Sequence, residues 1–212
     1  MADTLSAILE SKEAERLATG FVFTEGPLWH PDGFYYFVDI RRSNLHKLTP
    51  GKEPELVRSN TGEGNGTTFD LQGRLVICEG GNRRVTRWTG GQSEILMDRF
   101  EGKRLNRPND VVCKSDGSIY FTDPGLRVPL AERELASAGV YRIAPDGKTA
   151  LVADCEYPNG LAFSPDERVR YGPIFEYIWP SGIGPRVEEP ALMLINPYPW
   201  SAPLEEVRLK KR

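Results

Sequence analysis

Pro31-Asp32-Gly33-Phe34-Tyr35-Tyr36-Phe37-Val38-Asp39 reads as a tight turn, a β-rich run and a closing acid. The same pattern recurs twice. Leu71-Gln72-Gly73 leads into a run over residues 74–78 and Glu79, and Ser115-Asp116-Gly117 leads into residues 118–122 and Asp123. A third run follows in each unit, over residues 44–48, 84–88 and 140–143. Then come the turns Thr49-Pro50-Gly51-Lys52, Thr89-Gly90-Gly91-Gln92 and Ala144-Pro145-Asp146-Gly147, and a fourth run over 54–57, 93–97 and 149–153. Short β-rich runs divided by Gly, Pro, Asp and Asn turns form consecutive antiparallel strands. Four such strands in a unit of roughly 40 to 50 residues mark the blades of a propeller. The steps from Gly33 to Gly73, Gly117 and Glu167 are 40, 44 and 50 residues, so the expected fold is all-β.

Working outward from the turns, one polar residue holds a fixed register. Glu25, Asn65, Asn109 and Asn159 each stand eight positions before the third turn residue, at 33, 73, 117 and 167. Blades set around an axis would bring such a register to one place. Carboxylate and amide oxygens are hard donors suited to Ca2+ or Mg2+, with Mn2+ also compatible. A site with one carboxylate and several neutral amides leaves positive charge on the ion, enough to polarise a carbonyl or acidify bound water. Asn also starts strands and caps turns, and Asn65 by itself fits that role equally well. Asp110 and Asp123 are the other nearby carboxylates. Alternation along a strand turns Asp110 away from Asn109, and Asp123, at the end of its run, is expected off the axis.

Composition removes several classes of function. With 212 residues, 39% apolar content and a net charge of −3, the chain suits sheets that bury alternate side chains. An acidic balance argues against a nucleic-acid surface, and no stretch has the length of a membrane span. Cys78, Cys113 and Cys155 show neither a close pair nor zinc spacing. Free thiols in a reducing, cytoplasmic setting are the expectation. His30 and His46 are read as structural. Gly62-Glu63-Gly64-Asn65-Gly66 lacks the following helix of a phosphate-binding loop, so its glycines are read as serving a tight turn. No serine stands in a nucleophile elbow.

Thr24-Glu25-Gly26-Pro27-Leu28-Trp29, Arg107-Pro108-Asn109-Asp110-Val111 and Pro158-Asn159-Gly160-Leu161-Ala162-Phe163-Ser164-Pro165-Asp166 occur in that order. Together they resemble the gluconolactonase/regucalcin (senescence marker protein) family, and Gly117-Ser118-Ile119-Tyr120-Phe121-Thr122-Asp123-Pro124 is similar to its bacterial and fungal lactonase branch. The resemblance runs from about Leu17 to Asp166. It implies a six-bladed propeller with one divalent cation in its channel, hydrolysing sugar lactones or related esters. Ca2+ is the favoured ion, with Mg2+, Mn2+ or Zn2+ as alternatives. It further implies metal ligation by Glu25, Asn109 and Asn159, and substrate contacts from Arg107, Asn109 and Asn65. Arginine suits that contact because its fork of donors can hold hydroxyls or a developing oxyanion.

The family's remaining ligand, an aspartate of a later blade that also serves as base or nucleophile, has no counterpart after Asp166. Residues 168–212 hold seven of the seventeen prolines and no aspartate. Proline at that density interrupts ladder strands. The expected organisation is a lead-in over 1–16, a partial six-bladed propeller of about three to four blades over 17–167, and an irregular Pro-rich tail over 168–212. The implied activity is metal-dependent lactone or ester hydrolysis, with the catalytic acid–base residue unassigned. The alternative is a non-catalytic module binding a cation or a partner, with self-association through unclosed blade faces.

Overall fold

The computed structural model describes residues 15–125, 127–154, 158–164, 167, 170 and 171. Three four-stranded antiparallel sheets follow one another along the chain. The first holds β1 (Thr24–His30), β2 (Phe34–Asp39), β3 (Asn44–Leu48) and β4 (Glu55–Arg58). The second holds β5 (Gly64–Phe69), β6 (Leu75–Glu79), β7 (Arg84–Trp88) and β8 (Ser93–Met97). A short ribbon of β9 (Arg99–Phe100) and β10 (Lys103–Arg104) leads to the third, made of β11 (Val111–Cys113), β12 (Ile119–Asp123), β13 (Gly139–Ile143) and β14 (Thr149–Asp154). A fourth unit opens with β15 (Ala162–Phe163) paired to β16 (Arg170–Tyr171). Each sheet orders its strands as the chain does, which is the up-and-down meander of a propeller blade. The all-β expectation and the strand positions read from the turns hold. Most of the lead-in, Cys155, the Pro165-Asp166 turn and most of the tail lie outside the described residues.

The turns close as their residues dictate. Asp70 Oδ1 accepts the N–H groups of Gln72 (3.0 Å) and Arg74 (2.9 Å), and Asp116 Oδ1 accepts that of Ser118 (2.8 Å). Such side-chain bonds to backbone two residues on are what fit Asp to turns. Alternation within the second strands then builds the core. In β6, Leu75 and Ile77 face the first sheet and join Val38, Ile40 and Leu45. Val76 and Cys78 face the third sheet and join Leu105, Val111, Phe121 and Tyr141. A strand covered on both sides needs apolar residues at nearly every position, and every residue of β6 and β12 is buried. On the far side of the third sheet, Tyr120 and Val140 pack with Leu161 and Phe163 of the fourth unit.

Among the described cysteines, Cys78 and Cys113 are free thiols, and the two histidines pack against aromatic rings as structural residues. Cys78 is a buried free thiol, and burial pushes its pKa far up, which keeps it unreactive. His30 stacks on Phe34 at 4.3 Å and its Nδ1 accepts the Asp32 N–H. His46 stacks on Phe37 at 5.3 Å, and desolvation depresses its pKa.

Candidate functional site

Glu25 and Asn65 lie on the first strands β1 and β5, Asn109 stands two residues before β11 and Asn159 three before β15, and backbone contacts join them in sheet order. Gly26, after Glu25, lies so close to the second sheet that a Cβ there would stand 2.1 Å from the Asn65 carbonyl oxygen. Its φ of +54° also excludes a side chain without strain. Thr67 Oγ donates to the Gly26 carbonyl at 2.8 Å. Gly66, after Asn65, gives its N–H to the Asn109 carbonyl at 2.7 Å, and a Cβ on it would meet Asp110 Cα at 2.5 Å. This refines the reading of the glycine-rich stretch: Gly62 takes a left-handed turn, whereas Gly66 lets two blades touch. Thr122 Oγ then donates to the Asn159 carbonyl at 2.7 Å, and Asp110 Oδ2 accepts the Leu161 N–H at 2.7 Å.

The register positions therefore follow one another as an arc, with Glu25 beside Asn65, Asn65 and Gly66 against Asn109, and the third sheet bonded to Asn159. All four side chains are partly buried. Both β1 and β5 carry a bulge here, between Glu25 and Leu28 and between Gly64 and Thr67. An extra residue at that point re-aims the side chains on either side of it.

Asp39, Glu79 and Asp123, the acids that close each second strand, are fully buried. Asp39 accepts the N–H groups of Val22 (3.0 Å) and Phe23 (3.2 Å), just ahead of Glu25. Although burial pushes its carboxyl up, these donors and Arg42 hold it below the ordinary value. Asp123 does the same in the third sheet, taking the N–H groups of Asn106 (2.7 Å) and Arg107, just ahead of Asn109. There burial prevails and raises its pKa to about 6. Asp123 thus serves the backbone just ahead of Asn109.

Asp110 is the residue that strand alternation undervalued. Part of its surface stays open, yet burial, with a smaller contribution from the Glu25 carboxylate, raises its pKa to about 6 against the lowering effect of the Leu161 and Val111 N–H groups. Glu25 is itself raised by burial. The Glu25 carboxylate acts on Asp110 electrostatically, and none of the groups that shift either of them is basic. That surplus of negative charge, flanked by amide side chains, fits a hard divalent cation. Among the described residues, no three His, Cys, Asp or Glu side chains cluster as a ligand set, so any such ion would rely on the asparagines as well as Glu25. Arg107, read from the motif as a substrate contact, reaches from the third sheet to the second and ion-pairs with Glu63. Aligning the repeats could have found Glu63, because it precedes Asn65 by the same two residues that separate Arg107 from Asn109.

A family model described as the SMP-30/Gluconolactonase/LRE-like region matches residues 23–172. The chain is 31% identical over 189 residues to a gluconolactonase of Zymomonas mobilis, covering 79% of this chain and 53% of that protein. It is 29% identical over 154 residues to the pentonolactonase XacC of Haloferax volcanii, with 69% and 48% covered. Among solved structures, a gluconolactonase from Xanthomonas campestris superimposes with a TM-score of 0.67 at 40% identity, covering 72% of this chain and 54% of that one. The chain spans about half the length of the relatives it matches.

Proposed function

The chain belongs to the SMP-30/gluconolactonase/LRE-like family, and from that premise we propose that it carries the cation-binding arc of a sugar-lactone hydrolase. The observation behind this reading is the blade-to-blade contact of the register positions, through Gly26 with Asn65, Gly66 with Asn109 and Thr122 with Asn159. The lactonase names of the relatives supply the substrate class.

In this reading Glu25, Asn109 and Asn159 hold a divalent cation, with Ca2+ favoured over Mg2+, Mn2+ and Zn2+ by the all-oxygen donor set. Such an ion supplies polarisation of the lactone carbonyl. Asn65 and Asn109 offer amide groups to ring hydroxyls, and Arg107 offers guanidinium donors to the oxygen that gains charge. Asp39 and Asp123 fix the backbone ahead of Glu25 and Asn109, so those side chains arrive oriented. Asp110 holds the Leu161 N–H and thereby the segment bearing Asn159.

Calorimetric titration of the metal-free protein with each of the four cations tests the reading. One ion should bind, and Glu25→Gln should weaken it by at least about tenfold, because it removes the formal charge from the proposed ligand set. Opening of a neutral sugar lactone should depend on the same ion. Absence of cation binding, or an unchanged affinity in Glu25→Gln, would overturn the assignment.

The non-catalytic alternative keeps the ion without turnover. Self-association belongs to it, through the face of the first sheet turned away from the second, where Trp29 and Tyr35 are partly exposed and Leu56 is exposed, while Phe37 is covered by Phe21 and His46. Large apolar patches mark interaction surfaces.

A further inference from the structure

Two residues ahead of the register layer the repeat places a second layer, occupied by Phe23, Glu63 and Arg107 in the three sheets. Each stands just before the first strand of its sheet, at the entry to the arc. Glu63 and Arg107 meet across the gap between the second and third sheets, with Arg107 Nη2 donating to Glu63 Oε2.

Both partners are held from behind. The Glu63 N–H is bound by Ser43 Oγ at 3.0 Å, with Glu63 at a φ of +54°. The Arg107 N–H is bound by the buried carboxylate of Asp123. Beneath the pair lie Gly80 and Gly81. A Cβ on Gly80 would stand 3.1 Å from Arg107 Cγ, and one on Gly81 would stand 3.1 Å from Glu63 Cγ. The arginine side chain is 19% exposed and the glutamate 44% exposed, so Glu63 is the partner that faces solvent.

We propose that Glu63 is a specificity-determining residue, occupying the guanidinium of Arg107 so that the site admits neutral polyhydroxylated lactones and turns away carboxylate- or phosphate-bearing ones. This rests on the lactone-hydrolase reading. A guanidinium has five donors in a fixed fork, and with Glu63 on one nitrogen the rest still serve neutral hydroxyl and carbonyl acceptors. An anion would have to displace Glu63 and then lie beside its carboxylate. Selectivity of this kind comes from the repulsive element as much as from the attractive one.

A purely structural ion pair on a partly exposed surface would contribute little and leave ligand choice alone. The test therefore reads ligand choice. In the full 212-residue chain, the Arg107 Nε–Hε resonance is followed by NMR during titration with inorganic phosphate. Wild type should respond weakly, Glu63→Gln should bind phosphate on the order of tenfold tighter, Glu63→Asp should restore most of the wild-type behaviour, and Glu63→Gln/Arg107→Gln should lose the gain. A second titration compares an unreactive neutral polyhydroxylactam with its carboxylate-bearing counterpart. The neutral-over-anionic preference should shrink by about the same factor in Glu63→Gln. An equal phosphate response in wild type and Glu63→Gln, or an unaltered lactam preference, overturns the proposal. If neither protein binds either lactam while Glu63→Gln still gains phosphate, the lactone reading fails and the occupation of Arg107 by Glu63 stands.

Discussion

In the third sheet Asp123 receives two backbone N–H groups from the segment that enters its own first strand, whereas at the same register in the second sheet Glu79 receives four side chains. Its Oε1 takes Arg58 Nη2 (2.7 Å) and Thr86 Oγ (2.9 Å), and its Oε2 takes Arg84 Nε (2.7 Å) and Asn82 Nδ2 (2.9 Å). Arg58 belongs to β4, so this carboxylate ties the first sheet to the second. One more methylene lets the acid reach past its own strand entry to neighbouring side chains. The entry into β5 is held instead by neutral groups, with the Gly64 N–H on Thr61 Oγ at 3.1 Å and the Gly81 N–H on the Gly62 carbonyl at 2.9 Å. A repeat position can thus keep its charge and exchange its role, from orienting a site residue to joining two blades.

The largest effect should come from removing the blade-joining acid. Glu79→Ala leaves the Arg58 and Arg84 guanidiniums without their buried partner, and breaking a buried pair on one side costs about 3–5 kcal/mol. Asp123→Ala leaves two N–H groups without an acceptor, for which about 1–3 kcal/mol each is the scale, but it also removes a carboxylate whose charged form burial disfavours, so at neutral pH the net loss should be smaller. Urea unfolding of both variants checks the order. A smaller loss in Glu79→Ala than in Asp123→Ala would break the contrast between the two sheets.

The same contrast shows what the sequence could disclose. Turn residues and β-rich runs act locally, so the second, third and fourth strands of the three sheets were legible to within about a residue, bounds of this kind being soft to that extent anyway. The shared register of Glu25, Asn65, Asn109 and Asn159 was legible because a repeat turns spacing along the chain into neighbourhood around an axis. The partners of the closing acids were not legible. Asp39, Glu79 and Asp123 look alike in the sequence, and their partners depend on side-chain reach and on which neighbours lie within it. Asp110 was hidden for a related reason. Its burial comes from the fourth unit, whose Leu161 N–H it accepts from far along the chain, and spacing within its own unit does not show that.

The pH dependence of stability sharpens the comparison, because the two acids act with opposite sign. Glu79 is held below its ordinary 4.5; burial pushes it up, but the bonds from Asn82, Arg58 and Arg84 outweigh that. Its contribution is present above pH 4.5 and is lost as pH falls through the depressed value. Asp123 is raised from 3.8 to about 6 by burial. The folded state keeps that proton where the unfolded chain has released it, so stability falls as pH rises from about 4 to 6, by up to roughly 3 kcal/mol at about 1.4 kcal/mol per pH unit. Asp110, also near 6, adds a slope of the same sign. Urea unfolding with a chelator present should therefore show the decline between pH 4 and 6 reduced by roughly half in Asp123→Asn. An unchanged decline in that variant would mean that Asp123 is charged across the whole window.

The smallest expected effect isolates what the third sheet alone possesses. The residue before each closing acid is Val38 in the first sheet, Cys78 in the second and Thr122 in the third. Val38 and Cys78 pack into the apolar layers between sheets. Thr122 instead places its hydroxyl between two blades, accepting the Asp110 N–H at 3.0 Å and donating to the Asn159 carbonyl at 2.7 Å. Thr122→Val gives the third sheet the residue of the first at almost the same volume. It removes both bonds, at about 0.5–1.5 kcal/mol each. The loss should fall on the junction with the fourth unit, so hydrogen exchange should quicken at Leu161, whose N–H rests on Asp110 Oδ2, and stay unaltered in β6 and β7. Cation affinity should weaken less than in Glu25→Gln, since Asn159 is loosened and not removed. Uniformly faster exchange across all three sheets would show the Thr122 hydroxyl to be a general stabilising contact, and the distinction drawn between the third sheet and the other two would fail.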